Sequence, residues 1–411
     1  MIYKKIKKCR NCNSKKIKTV LNLGTQSLTG KFPKIKKKNV IRTPLSISLC
    51  IKCKFVQLTH NFNNKYLYNL EYGYESGINS TMTKHLSGIA KKVEKFKKLT
   101  KNNIVMDIAS NDGTLLNSYN KAVQKIGVDP ILKRFKKKYT NIKYKIPNFF
   151  SYNDFKKLKL KKRVDVITAF AVFYDVNHPN KFLSDIKKTL DDNGIFIMEQ
   201  SNLAYMIKLN SFDTICQEHL GYYSTEVIKN MLEKNRLKIF DHEYNDSNGG
   251  SSRYYITHKE NTIFKINYKE INKALKFESK FKLGNIKTYE KFNKNIEKMK
   301  TKCLTKIRDI LSQNKVIHGY GASTKGNVIL QYLNINNKQI EFISDRNPFK
   351  FNRYTPGTKI KIISEKKSRS LNPDYYFVLP WHFKKEILKR EIKIRRKGTK
   401  FIFPLPNFKT Q

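Results

Sequence analysis

The stretch Ile104-Val-Met-Asp-Ile-Ala-Ser-Asn-Asp-Gly-Thr-Leu-Leu116 decides the fold of this chain. An apolar run ends in Asp107, a turn of small residues follows, and Gly113 opens an apolar helical pattern. This order predicts a strand, a tight turn and a helix N-terminus, where backbone N–H groups and the positive end of the helix dipole can approach a ligand. The residues expected around such a ligand are Asp107, Ala109, Ser110, Asn111, Asp112 and Gly113.

A second carboxylate follows the next predicted strand, in Gly127-Val-Asp129-Pro130. It stands roughly twenty residues beyond Asp107, the distance at which an acidic side chain can accept the two hydroxyls of a ribose. The glycine pattern of dinucleotide-binding proteins, Gly-x-Gly-x-x-Gly, is absent here. The alternative interpretation is an ordinary strand–helix–strand turn without a ligand.

Strand and helix signals alternate through the middle of the chain, with strands expected at residues 105–107, 125–129, 164–170 and 194–199. Such alternation predicts a parallel sheet covered by helices on both faces. The pattern returns in Lys315-Val-Ile-His-Gly319-Tyr-Gly321-Ala-Ser323-Thr-Lys325-Gly-Asn327. The fold class is therefore α/β, with a second and smaller doubly wound domain after a helical connector at about residues 261–309.

The N-terminal segment carries two Cys-x-x-Cys pairs, Cys9-Arg-Asn-Cys12 and Cys50-Ile-Lys-Cys53. Two such pairs predict a tetrahedral four-thiolate zinc site, which is structural because it leaves no ligand position open. Two disulfides are the alternative, and a reducing compartment disfavours them. We expect three domains: a zinc-binding domain at 1–65, a central domain at 66–258, and a connector with the C-terminal domain at 259–411.

Composition sets the broad class of the protein. With 411 residues and 39% apolar content the chain can bury several cores. It shows no apolar run of signal-peptide or membrane-spanning length, so a soluble, cytoplasmic protein with reduced thiols is expected. The sequence does not predict the oligomeric state.

The formal net charge of +52 would ordinarily indicate a nucleic-acid partner. The lysines, however, are spread along the whole chain among many Ile and Asn residues. This pattern favours a solvated basic surface, so neither nucleic acid nor membrane is expected as a partner. An acidic ligand such as the phosphates of a nucleotide-linked substrate is compatible with the charge.

Residues able to carry acid–base chemistry lie at the ends of the last two predicted strands of the central domain and beyond them. Tyr174 stands just past the strand at 164–170 and Glu199 ends the strand at 194–199, whereas Glu218-His219 follows in a later loop. A histidine can take a proton near neutral pH, although a Glu-His pair alone is more often an ordinary surface feature. The turn from Asn248 to Arg253 could present Arg253 to a phosphate or could be a simple hairpin, and both interpretations stay open.

Taken together, these motifs resemble one known family, the nucleotide-sugar C-methyltransferases of deoxysugar biosynthesis. The resemblance covers nearly the whole chain and rests on six motifs in order. They are the paired Cys-x-x-Cys, Tyr72-Gly-Tyr74-Glu-Ser76-Gly, Ser110-Asn-Asp-Gly-Thr114, Glu218-His219, Gly249-Gly-Ser251, and Gly319-Tyr-Gly-Ala-Ser-Thr-Lys-Gly-Asn327. It implies an N-terminal zinc-binding domain, a class I methyltransferase sheet that binds S-adenosylmethionine, and a C-terminal Rossmann-like domain.

The resemblance also implies a reaction. A base removes the proton beside the ketone of a nucleotide-linked 4-keto sugar, and the enolate takes the methyl group. His219 is the implied base, with Glu218, Tyr174, Tyr72 and Tyr74 as further catalytic residues. The resemblance also implies that Ala169 is a cofactor-binding residue, in addition to those around the Asp107 turn and Asp129. The implied substrate-binding residues are Ser76, Asn79, Glu199, Tyr222, Arg253, Gly321, Ser323, Lys325 and Asn327.

Three departures from the family pattern separate this chain from the antibiotic-sugar members. Cys216 stands where they carry Tyr, Tyr174 where they carry His, and Ala109 where Gly is usual. The identity of the sugar therefore stays open. The competing functions are an O-methyltransferase on the same scaffold, a nucleic-acid methyltransferase and a non-catalytic binding protein.

Overall fold

The computed structural model describes residues 2–36, 39–68, 74–139 and 141–411. The strands are β1 (Tyr3–Lys5), β2 (Ile17–Ser27), β3 (Arg42–Cys50), β4 (Val56–Leu58), β5 (His60–Phe62), β6 (Ile104–Ile108), β7 (Gln124–Val128), β8 (Tyr144–Ile146), β9 (Val164–Phe170), β10 (Leu190–Ser201), β11 (Gly221–Tyr222), β12 (Leu237–Asn245), β13 (Ser251–His258), β14 (Ile317–Tyr320), β15 (Phe342–Asp345), β16 (Lys361–Ser364), β17 (Tyr375–Val378), β18 (Lys400–Phe403) and β19 (Lys409–Thr410). The α-helices are α1 (Asn64–Leu67), α2 (Ser80–Phe96), α3 (Thr114–Asn117), α4 (Tyr152–Lys156), α5 (Pro179–Thr189), α6 (Leu203–Lys208), α7 (Thr225–Lys234), α8 (Tyr268–Ser279), α9 (Ile286–Leu311), α10 (Thr324–Tyr332), α11 (Glu365–Ser370), α12 (Lys384–Arg390) and α13 (Ile392–Arg396).

The N-terminal unit is an antiparallel sheet in the order β11-β4-β3-β2, beside the small pair β1-β5. Its longest pairing is the antiparallel β2–β3 hairpin. The edge strand β11 comes from the middle of the chain, where Gly221 and Tyr222 pair with Gln57 and Val56. The loop that carries Glu218 and His219 is thereby attached to the N-terminal sheet.

The central sheet has seven strands in the order β12-β13-β10-β9-β6-β7-β8. The five strands from β6 to β10 are parallel, as expected, and every residue of β6 is buried. The last two form an antiparallel hairpin, β12–β13, that the parallel-sheet prediction lacked. This pairing decides the open alternative for Asn248 to Arg253, because these residues form the turn of that hairpin and the start of β13.

The C-terminal sheet has the order β16-β15-β14-β17-β18-β19, with five parallel strands and the antiparallel edge strand β19. It is the second doubly wound domain expected from the sequence. Helices α8 and α9 precede it and confirm the helical connector. A mixed α/β fold with two doubly wound sheets and an N-terminal cysteine-bearing sheet therefore agrees with the predicted class.

One apolar core joins the N-terminal sheet to the C-terminal domain. Ile47 of β3, Phe212 of the loop after α6, Tyr289 of α9 and Ile329 of α10 are buried members of this cluster. No helix in the described part of the chain is long and apolar enough to cross a membrane. The exact domain boundaries of 1–65, 66–258 and 259–411 stay a prediction.

Candidate functional site

A cavity of about 560 Å³ opens where the three domains meet. The carboxyl ends of β6, β7, β9 and β10 form its floor. Residues from Tyr74 to Leu86 and the Glu218–His219 loop line its walls, and the C-terminal domain contributes Ser323, Lys325 and His382. Ligands of doubly wound sheets bind at this edge, so the cavity is the candidate site.

The turn after β6 is shaped by left-handed backbone. Ala109, Asn111 and Gly113 have φ of 58°, 47° and 77°. A left-handed Ala costs roughly 1–2 kcal/mol, so the turn is held in place by its contacts. Asp129 provides two of them: its Oδ2 accepts from the Asn111 amide at 2.9 Å and its Oδ1 from the Ile131 amide at 2.8 Å.

The two strand-end carboxylates are buried and line the cavity. Burial raises the pKa of Asp107 to about 7, although a hydrogen bond from Thr168 opposes the shift. Burial likewise raises the pKa of Asp129 to about 6. Neither carboxylate has an ion-pair partner among the described residues. A ligand that brings a positive charge and hydroxyls would complement both, as S-adenosylmethionine does.

Three of the predicted cofactor residues do not line the cavity. Asp112 instead anchors the neighbouring segment, since its Oδ2 accepts from the Gly77 amide at 2.9 Å and its Oδ1 from the Thr114 hydroxyl at 2.6 Å. Gly113 lies at the N-cap of α3. Ala169 is fully buried in the sheet core, between Ile108 and Met198. The cavity-lining members are Asp107, Ala109, Ser110, Asn111 and Asp129.

His219 lines the cavity with one ring nitrogen left for a ligand. Its Nδ1 donates to the Thr214 carbonyl at 2.6 Å, which makes Nε2 the unprotonated nitrogen of the neutral ring. The Tyr174 ring packs against it with centroids 4.1 Å apart. Burial lowers the pKa of His219 to about 3, the Thr214 carbonyl opposes this, and the charge of Lys325 adds to it. His219 is therefore a neutral proton acceptor at physiological pH.

Glu218 and Asp175 place two carboxyl groups beside His219. The Leu220 amide donates to the Tyr174 carbonyl at 2.7 Å, which joins the two segments. Burial raises the pKa of Glu218. Burial also raises the pKa of Asp175, well above its usual value. A hydrogen bond from Tyr68 opposes this shift, and the charge of Glu218 adds to it. Both carboxyls line the cavity.

The predicted tyrosine loop is described only in part. Tyr72 lies outside the described residues. Tyr74 lines the cavity with 46% of its surface exposed, and Ser76 and Asn79 line it as well. Tyr222 is buried in β11 and does not line the cavity.

His85 is a cavity residue that the sequence did not indicate. It projects from α2, and its Nε2 lies 2.6 Å from Glu199 Oε1. Arg253 Nε donates to the other oxygen of Glu199 at 2.8 Å and its Nη1 to Glu243 at 3.2 Å. Burial raises the pKa of Glu199, but the His85 hydrogen bond and the Arg253 charge outweigh it and the net pKa is lowered.

Arg253 is thus not a phosphate ligand in this structure. Its guanidinium is engaged with the two glutamates, is buried and does not line the cavity. Its sequence position next to the hairpin turn gave no sign of this pairing. Glu199, by contrast, does line the cavity.

The C-terminal domain brings a helix end and a cation to the cavity. Ser323 caps α10, its hydroxyl accepting from the Gly326 amide at 2.9 Å. Lys325 Nζ donates to the Asn248 carbonyl at 2.9 Å. Gly321 and Asn327 lie behind this surface: a Cβ on Gly321 would meet Pro380 at 2.7 Å, and Asn327 donates to the Thr29 carbonyl at 2.7 Å.

The four cysteines converge on one point, as predicted. Their sulfur atoms lie within 4.8 Å of one another, and both Cys9–Cys53 and Cys12–Cys50 are 3.6 Å apart. Tetrahedral zinc with Zn–S bonds of about 2.3 Å requires sulfurs about 3.8 Å apart, so the cluster fits a structural zinc ion. All four are free thiols, without disulfides.

Comparison with known protein families agrees with this architecture. Residues 9–68 match a model described as "Putative zinc binding domain", residues 82–241 match a methyltransferase domain, and residues 246–406 match a C-methyltransferase C-terminal domain. The C-methyltransferase NovU of Streptomyces niveus is 24% identical over 414 residues, which cover 98% of this chain and 97% of that protein.

Two solved structures resemble part of the chain. An S-adenosylmethionine-dependent methyltransferase from Clostridium acetobutylicum is 16% identical, with a TM-score of 0.35 over 43% of this chain and 92% of that one. Magnesium protoporphyrin IX methyltransferase from Synechocystis, with bound S-adenosylhomocysteine, is 12% identical, with a TM-score of 0.34 over 44% of this chain and 88% of that one.

Proposed function

This chain belongs to the family of S-adenosylmethionine-dependent C-methyltransferases, and on that premise we propose that it methylates a carbon of a nucleotide-linked 4-keto sugar. The observation that carries the proposal is the neutral His219. Its Nε2 is unprotonated, and the ring stands in a cavity that also holds the Asp107 turn and a basic surface of the C-terminal domain.

In the proposed reaction the cofactor supplies the methyl group, and the chain supplies the base and the enolate contacts. His219 Nε2 takes the proton from the carbon beside the ketone, while the Thr214 carbonyl holds the ring in the required tautomer. The carboxyls of Glu218 and Asp175, whose pKa values are raised, can donate hydrogen bonds to the developing enolate oxygen when protonated. Tyr174 fixes the ring orientation of His219.

Contacts to the nucleotide are proposed on the side of the C-terminal domain. Lys325 offers a positive charge at the cavity wall, and the Ser323-capped end of α10 offers backbone N–H groups. Ser76 and Asn79 line the cavity as well, where hydroxyls of the sugar can reach them. Deoxysugar formation is thus the proposed context of the reaction.

The direct test is incubation of the purified protein with S-adenosylmethionine and a panel of nucleoside diphosphate 4-keto sugars, followed by mass spectrometry and NMR. We expect a product heavier by one methylene, with the new methyl group on the carbon next to the ketone. A methyl ether would instead identify an O-methyltransferase, since the neutral His219 could also activate a hydroxyl. No turnover of any sugar would contradict the proposal.

A further inference from the structure

Gln200 is a buried cavity residue whose side-chain amide has no partner. It lies in β10 between Glu199 and Ser201, lines the cavity, and is 1% exposed. Neither its Nε2 nor its Oε1 has a hydrogen-bond partner within the described residues. Buried side-chain amides are nearly always hydrogen-bonded, because desolvation without a partner is costly. The unpaired amide therefore needs an explanation.

Gln217 shows what a structural glutamine looks like in the same protein. It is 0% exposed, and its amide is fully engaged. Its Nε2 donates to the Gln26 carbonyl at 3.4 Å and the Thr43 hydroxyl at 3.3 Å, and its Oε1 accepts from the Thr29 hydroxyl at 3.1 Å. Gln200 has none of this support, although it is buried as deeply.

Other residues that line the cavity share the property. In the described part of the chain, Asp175 Oδ1, Asn177 Oδ1 and His382 Nδ1 are also buried without a hydrogen-bond partner. His382 comes from the C-terminal domain, so residues with an unpaired buried atom line the cavity from two domains. An apolar ligand would leave all of them unpaired, whereas a hydroxyl can donate to an oxygen and accept from a nitrogen.

We propose that Gln200 is a specificity-determining residue that binds a hydroxyl group of the methyl acceptor through both atoms of its amide. The proposal rests on the proposed function for the identity of the acceptor, a polyhydroxylated sugar. A site built to bind a hydroxyl discriminates strongly against an analogue without it, because the site's buried polar atoms then stay unpaired. Gln200 thus selects acceptors that carry this hydroxyl and leaves the cofactor turn unaffected.

The test combines stability with kinetics in Gln200→Met, which keeps the length of the side chain and removes both polar atoms. Without ligand, Gln200→Met should melt at or above the wild-type temperature, because two unpaired buried atoms are gone. Gln217→Met is the matched control and should melt lower, since it loses paired hydrogen bonds. Gln200→Leu repeats the measurement if the methionine variant does not fold.

The kinetic arm uses nucleoside diphosphate 4-keto sugars that differ by one hydroxyl. Gln200→Met should lower kcat/KM for the hydroxylated acceptors by about 10- to 100-fold. The difference from wild type should vanish for the deoxy analogue that lacks the bound hydroxyl. Affinity for S-adenosylmethionine should not change.

Two results overturn the inference. One is a melting temperature of Gln200→Met that falls as far as that of Gln217→Met. The other is an unchanged kcat/KM for every acceptor. If the wild type turns over no sugar, the proposed function fails separately. In that case a stabilised Gln200→Met still supports a ligand-binding role, and a destabilised one still rejects it.

Discussion

Burial sets the protonation state of the cavity residues. His219 is neutral because its charged form would lose hydration, and the same loss keeps the pKa of Asp107 near 7 and that of Asp129 near 6. The cavity therefore combines a neutral imidazole, which has one nitrogen free to accept a hydrogen bond or a proton, with buried carboxyls that a cationic ligand would complement. Perturbed groups gathered in one cleft are typical of functional sites.

The pKa of Asp107 predicts a pH dependence of cofactor binding. A cationic cofactor favours the carboxylate form, so a proton must leave Asp107 when the cofactor binds below the pKa of about 7. The dissociation constant of S-adenosylmethionine should therefore rise about tenfold between about pH 8 and about pH 6. Calorimetry in two buffers of different ionisation enthalpy would show the released proton.

Asp107→Asn is the control for that titration. Its amide cannot titrate, so the proton release should disappear. A dissociation constant of the wild type that is independent of pH over the same interval would remove Asp107 from the cofactor site.

Asp129 gives a second prediction about single residues. Asp129→Ala should weaken S-adenosylmethionine binding by about 1–3 kcal/mol, because ribose hydroxyls and two backbone amides would lose their acceptor. Titration calorimetry measures the loss. Asp192→Ala, at an exposed carboxylate paired with Arg163, is the control and should bind normally. If both variants bind S-adenosylmethionine with the same affinity, Asp129 does not bind the ribose.

The turns that follow the strands position the residues of the candidate site. The turn after β14 requires a glycine because the Pro380 ring packs closely against it. Gly321 has φ of 80°, and a Cβ there would lie 2.7 Å from the Pro380 ring. Gly24 has nearly the same φ of 77° with nothing within 4 Å of a Cβ. The pair therefore separates backbone strain from steric clash.

Gly24→Ala should cost about 1 kcal/mol of unfolding free energy, the strain alone. Gly321→Ala should cost clearly more, because the Pro380 ring must also move. Urea titration with a common slope measures both values. An equal loss of unfolding free energy in the two variants would mean that the Pro380 ring can move aside without destabilising the protein.

Only some of the strands and turns could be predicted from patterns in the sequence. The buried apolar strands β6, β7, β9 and β10 could be predicted because each contains an apolar run and is followed by a small or polar residue. The two-residue strand β11 could not, since it has no periodicity and its partner β4 is far away in the chain. The polar turn at Asn248 is equally compatible with a loop and with a hairpin until its strands are paired.

In the candidate site, too, some residues could be predicted from the sequence and others could not. Asp107, Asp129 and His219 follow recognisable strands and loops, so their place at the sheet edge could be inferred. His85 is 114 residues from its partner Glu199, and nothing in the pattern of α2 distinguishes it from neighbouring polar residues. The role of Arg253 stayed open for the same reason: its carboxylate partners become neighbours only in the folded sheet.

At the scale of the whole molecule, the cysteine cluster packs against the elements that form the candidate site. Cys9 and Cys50 are buried in the core of the central domain. The rings of Phe55, Tyr223 and Phe173 form a row with centroids 4.8 and 4.9 Å apart, and Tyr174 follows Phe173 directly. The cysteine cluster thus supports the wall that holds His219.

Cys50→Ser should therefore reduce both metal content and activity. The zinc content of the variant should fall below the wild-type value of about one ion per chain. Because zinc binding and folding are coupled, the melting temperature and the turnover should fall as well. Cys303→Ser is the control, because Cys303 is a buried residue of α9 away from the cluster. It should keep its zinc. Wild-type protein purified without chelators and free of zinc would contradict the metal assignment.

The most direct test of the proposed reaction is deuterium exchange into the 4-keto sugar in heavy water, with S-adenosylhomocysteine in place of the methyl donor. We predict that the wild type exchanges the proton beside the ketone and that His219→Gln exchanges it about 10²–10⁴-fold more slowly, with unchanged cofactor affinity. Exchange that persists in His219→Gln would assign the base to another residue. A wild type that exchanges nothing and forms a methyl ether would contradict the C-methyltransferase reaction itself.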